Sequence, residues 1–154
     1  MKQVLLSFTI FLLGSFALTG QDNRPSYDST LAKKLGAYEY GMKSYILVIL
    51  KTGKNEIQDK HTLDSLFAGH FKNINRLLDE GKLIVAGTLA KNVKSYRGIF
   101  IPNVTTFEEA NELLQADPTI KESILDVDLF KWYGSAALPV YIETHKKIEK
   151  RRFN

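Results

Sequence analysis

Three histidines and no cysteine narrow the chemistry open to this 154-residue chain. Without a thiol there is no disulfide, no thiolate metal ligand and no cysteine nucleophile. His61, His70 and His145 include no pair at the i, i+4 spacing that puts two imidazoles on one helix face. No protein-built metal site and no cofactor is expected. Ser44 and Ser65 read as strand or surface positions, with no specific Ser-His-Asp set, and glycine-rich phosphate loops are absent. His61 reads as a surface residue at a helix start, and His145 stands among lysines. That leaves His70. Leu63, Leu66, Phe67, Ile74, Leu77 and Leu78 recur at the three- and four-residue spacing of one helix face, and His70 falls in the same stripe. A polar ring is therefore aimed at the interior, where an unpaired polar group costs ~1–3 kcal/mol. His70 needs a partner from elsewhere in the chain. With one, it is a candidate general acid or base, because imidazole titrates near neutral pH.

The elements that must position this residue follow from the pattern around it. Lys43–Leu50 reads as a first strand, and Thr52 to Asn55 turns the chain into the helix that carries His70. Gly81 supplies the left-handed stop, and Lys82–Leu89 is a second strand. Asn92 to Ser95 turns again into a third strand, Arg97–Ile101, ended by Pro102. Thr106-Phe107-Glu108-Glu109 is a capping box that opens a second helix. That helix must stop near Asp117, because Pro118 disfavours helical geometry in the residue before it. Ile124–Tyr133 is the fourth strand, with Leu125, Val127 and Leu129 alternating with acids. Ser135–Lys150 closes the chain, weakly helical beyond Pro139.

The order β-α-β-β-α-β predicts an α+β, ferredoxin-like domain over residues 42–138, with a four-stranded antiparallel sheet and both helices on one face. Strands one to three are apolar on both sides, as Ile46 to Ile49 and Leu83 to Ala86 show. A bare apolar sheet face is seldom tolerated in a monomer. A homodimer joined through the open sheet face is the expected cover.

Both ends carry signals of their own. Residues 1–20 look like a secretory leader: Lys2, the apolar run Val4–Leu13, then small residues before Gln21. The run is too short for a comfortable span, and no Cys follows it to carry a lipid. Export to the periplasm or the medium, with no stable membrane anchor after cleavage, is the expectation. Residues 21–41 form an amino-terminal arm with a short helix from Thr30 to Leu35, and residues 139–154 a basic tail. The formal net charge of +4 is concentrated in that tail, in Lys146, Lys147, Lys150, Arg151 and Arg152. No basic patch interleaved with aromatics appears elsewhere, so a nucleic-acid partner is not expected.

Gly69-His70, Glu80-Gly81-Lys82-Leu83, Ala86-Gly87, Gly98, Glu109-Ala110 and Ala116-Asp117-Pro118, in this order, resemble the YCII-related (YciI-like) family over about Met42 to Tyr133. The chain departs from that pattern at Thr88, where the family usually has Pro, and in its leader and arm. The resemblance implies a dimeric α+β barrel and a functional pair, His70 with Asp117, as catalytic residues. One branch of the family resembles a dehydrochlorinase of chlorinated hydroxyquinols. Asp117 would then accept a proton from one ring nitrogen and leave the other to face a substrate. Tyr45 and Trp132 are candidates to line a substrate ring, and Arg97 to bind an anionic group. Core packing and a solvated strand end are the plainer roles for these three. Two functions follow: a cofactor-free lyase or isomerase that moves a proton on a small molecule, or a non-catalytic module that binds a small ligand or scaffolds a partner. They differ in whether the His70 ring reaches an open pocket.

Overall fold

The computed structural model describes residues 25–152; the leader read at residues 1–20 lies outside them. Helix α1 (Ser29–Leu35) is followed by β1 (Met42–Thr52), α2 (Lys60–Asp79), β2 (Leu83–Thr88), β3 (Tyr96–Pro102), α3 (Phe107–Gln115), α4 (Pro118–Lys121) and β4 (Leu125–Ser135). A 3-10 turn at Leu138–Tyr141 and α5 (Ile142–Ile148) close the chain. The strands form one sheet in the order β2-β3-β1-β4, every neighbouring pair antiparallel. This is the ferredoxin-like, split βαβ arrangement.

Local chemistry accounts for the element ends. Asp59 caps α2 by accepting from the Thr62 N–H at 2.8 Å. Gly81, at φ 67°, takes the left-handed conformation just past the helix end. The Thr106–Glu109 capping box forms in both directions. Side-chain alternation then sorts the sheet. Ile46, Val48 and Leu50 of β1 meet Ile74 and Leu77 of α2 and Ala110 and Leu114 of α3 in the main core. Tyr45 points to the opposite face.

Two elements differ from expectation. The helix that ends before Asp117 does not carry that residue at its C-terminus. The backbone breaks at Asp117 (φ −87°, ψ 117°), and a new one-turn helix, α4, begins at Pro118. Proline suits a first helical position because its missing N–H would have no partner there. Asp117 is thus the N-cap of α4, a favourable place for a carboxylate. The second difference is the closing segment, which folds back rather than trailing as a basic tail. Leu138 and Ile142 pack against Tyr45, Ile84 and Ile101 on the outer sheet face. The Tyr141 hydroxyl donates to the carbonyl of Ile84 on the edge strand at 2.6 Å. Arg152 grips Asp79 at the end of α2 with two bonds of 2.8 and 2.9 Å. At the other end, α1 buries no residue, and Tyr38 of the arm stacks on Tyr133.

Candidate functional site

A cleft of about 720 Å³ opens between α2 and the sheet. Its floor is made of small residues at the ends of β2 and β3: Ala86, Gly87 and Gly98. Gly98 is required to be small, since a Cβ there would stand 2.6 Å from the Gly87 carbonyl oxygen. One wall is the stripe of α2, with Leu63, Phe67, His70, Phe71 and Ile74. The other is the β1–α2 loop at residues 55–58, with Ile124 and Leu125 behind it. That loop is clamped to the start of β4. Gly53 N–H donates to the Ile124 carbonyl at 2.8 Å, and Asn55 donates from its backbone and side chain to the carbonyls of Ser123 and Glu122. A Cβ on residue 53 would lie 2.0 Å from the Ser123 oxygen, so only glycine permits this approach.

His70 lies in the wall, 6% exposed, and Asp117 behind it, 1% exposed. Nδ1 of His70 is 2.6 Å from Oδ2 of Asp117. The other carboxylate oxygen accepts from the Thr119 hydroxyl at 2.7 Å and the Thr119 N–H at 3.0 Å. Burial by itself would raise the Asp117 carboxyl. The hydrogen bond from His70, the charge of its ring, and the two Thr119 donors together outweigh burial and hold the carboxyl below the usual carboxylate range. An ionised carboxylate only accepts, so Nδ1 carries the proton. The ring is held further by stacking on Phe100, with centroids 5.9 Å apart, and by edge contacts to Phe67 and Phe71.

The remaining ring nitrogen is the one that matters for chemistry. Among the described residues His70 makes its hydrogen bonds through Nδ1 alone. Among the described residues no buried side-chain polar atom lacks a partner. Nε2 is therefore not sealed, and the open space beside His70 is the cleft. In its neutral form an imidazole with Nδ1–H fixed carries its lone pair on Nε2.

The approach of α4 to α2 brings the pair together. Gly69 faces Pro118: a Cβ at residue 69 would stand 2.6 Å from Cγ of that ring. Glycine inside a helix costs ~1 kcal/mol relative to alanine, and here it lets the two helices close enough for the bond between the neighbouring residues.

Arg97 also belongs to the cleft. The register of β1 with β3 slips between Leu50, opposite Gly98, and Lys51, opposite Tyr96, so Arg97 is an extra residue on β3 with no partner on β1. Such a bulge re-aims a side chain, and Nε of Arg97 donates to Oγ1 of Thr52 on the cleft rim at 2.7 Å. Tyr45 and Trp132 are not brought there. They face each other across β1 and β4 on the opposite side of the sheet, with ring centroids 5.7 Å apart. Tyr45 is sealed, its hydroxyl bonded to the Ser135 carbonyl at 2.8 Å. Trp132 lies over Gly134, where a Cβ would meet the indole at 2.2 Å.

Three contributors escaped sequence reasoning: Thr119, Thr52 and the wall residue Glu56. Only Thr119 had a local signal, since Asp-Pro-Thr is a capping pattern in which the carboxylate accepts from the residue two further on. Among the described residues no group of three or more acidic or histidine side chains converges as a metal site would require, and no helix there is long and apolar enough to cross a membrane. No protein-family model matches the chain, and no curated protein matches it.

Proposed function

We propose that this chain is an exported, YCII-like enzyme that uses His70 and Asp117 to move a proton on a small molecule, without a cofactor, as an isomerase or a dehydrochlorinase-like lyase. The observation that carries this reading is that a buried carboxylate holds Nδ1 of a histidine that itself lines a cleft. A histidine that only tied two helices together would have no need of that opening. In the proposed cycle Nε2 takes a proton from a substrate carbon or hydroxyl. The bonding pair left behind either expels a leaving group or relocates within the substrate. In the isomerase case the imidazolium then returns the proton at a second atom; in the lyase case it gives the proton to the departing group or to water. No electrons are gained or lost overall. Asp117 stabilises the cation while it lasts, and such base catalysis contributes ~10²–10⁴-fold.

Further support comes from the leader pattern at residues 1–20 for export, and from the sheet face left uncovered by α5 for a homodimer. Solvent exchange provides the test. Hydroxylated aromatics and lactones incubated with the protein in D₂O are expected to take up deuterium or turn over. His70→Asn should abolish this while leaving the thermal transition cooperative, and Asp117→Asn should slow it less. Equal exchange by the wild type and His70→Asn would refute the proposal.

A further inference from the structure

We infer that the cleft takes a monoanionic carboxylic acid with an apolar, ring-sized body, its carboxylate on Arg97 and its body on the aromatic wall of α2. This rests on the reading of the cleft as the working site, and specifies what enters it. Nε of Arg97 is engaged by Thr52, which fixes the plane of the guanidinium. Its two terminal nitrogens make no hydrogen bond or ion pair among the described residues. A guanidinium held at one nitrogen and open at the other two presents the fork that suits a carboxylate. The bulge is a second, independent sign. A regular ladder would send the side chain of residue 97 to the outer face along with Ile99; the slip in register instead delivers it to the cleft.

Charge and shape limit the ligand further. Arg97 and the buried His70 are the basic side chains among the residues lining the cleft, and Glu56 the one acidic one. The guanidinium of Arg97 matches one negative charge, whereas the second charge of a dianion would meet no further exposed cation in a cleft that also carries the Glu56 carboxylate, so a phosphate ester is disfavoured against a carboxylate. The Arg97 end is exposed, whereas His70 is buried in the wall. A ligand would thus keep its carboxylate at the rim and lay its body over Phe67 and Phe71 toward Nε2.

Phenylacetate, its neutral isostere phenylacetamide and the dianion phenylphosphonate can be titrated into the protein by NMR, following His70 ring signals and line widths of the probes. Phenylacetate is expected to bind and shift those signals, with the amide and the phosphonate each roughly tenfold weaker. Arg97→Gln should remove the preference for the acid over the amide, and Arg97→Lys, which keeps the charge but not the fork, should restore part of it. Binding of the amide as tightly as the acid, an unchanged preference in Arg97→Gln, tighter binding of the phosphonate, or no binding of phenylacetate at millimolar concentration would each overturn the inference. His70→Asn separates the two levels. It should keep the Arg97-dependent preference for phenylacetate even if proton transfer proves absent, and loss of exchange chemistry alone leaves the carboxylate site standing.

Discussion

At the scale of single residues, the pair at the head of α4 makes a thermodynamic claim. A carboxyl whose pKa is lower in the folded protein than in the unfolded chain stabilises the fold above the unfolded value, about 3.9 for Asp. That contribution disappears as pH falls through the lower folded value. Asp117 is shifted in this sense. Asp117→Asn is therefore expected to lower the melting temperature at neutral pH, by an amount corresponding to roughly 1–3 kcal/mol. The gap between variant and wild type should close as pH drops below about 4. A gap that stays constant from pH 7 to pH 2 would show that the Asp117 charge is not what stabilises the fold. The stripe that buried His70 was legible in the sequence because helical periodicity is local. The identity of its partner was not, because 47 residues separate the two, and only the resemblance to a family named it. The placement of Asp117 as an N-cap was hidden for a different reason. Pro118 ends one helix and begins another, and from sequence alone only the ending was drawn.

At the scale of elements, the geometry of the site depends on two close approaches that a glycine permits. Gly53 lets the cleft loop settle on the start of β4, and Gly69 lets α4 settle on α2. In Gly69→Ala two effects compete. Helix propensity improves by ~1 kcal/mol. Against this, a methyl 2.6 Å from the Pro118 ring forces a shift, and overpacking of this kind costs ~1–3 kcal/mol. The proline ring cannot swing away as the end of a long side chain can, so the clash is expected to win. The variant should melt at a lower temperature, and the His70 Nδ1 proton should exchange faster with solvent as the bond to Asp117 lengthens. An unchanged or raised melting temperature would show that α4 moves freely. The order of strands and helices was readable because each element carries its own period and cap. The bulge at Arg97 was not, since register is a relation between two strands, and neither strand alone records the slip.

At the scale of the whole molecule, the closing segment changes which part of the sheet remains bare. The sequence suggested a fully open outer face, because local hydropathy cannot say that Leu138 and Ile142 return to it. The structure covers Tyr45, Ile84 and Ile101 with that segment. Leu47, Ile49 and Ile99 stay only partly buried, and Phe130, opposite Leu47 in the ladder, is 51% exposed. These residues come from three adjacent strands and face the same way, so the remaining patch is contiguous. Covering such a patch with its own copy is the proposed dimer, and the energetic argument sits at Phe130. Burying an aromatic side chain stabilises by ~1.5–3 kcal/mol, whereas a carboxylate in its place would have to be desolvated without a partner. Phe130→Glu should therefore sediment as a monomer at micromolar concentration where the wild type sediments as a dimer. Val93→Glu, in the fully exposed turn between β2 and β3, should leave the dimer intact and serves as the control for added charge. A wild type that is monomeric under these conditions, or a Phe130→Glu variant that remains dimeric, would rule out this face as the interface.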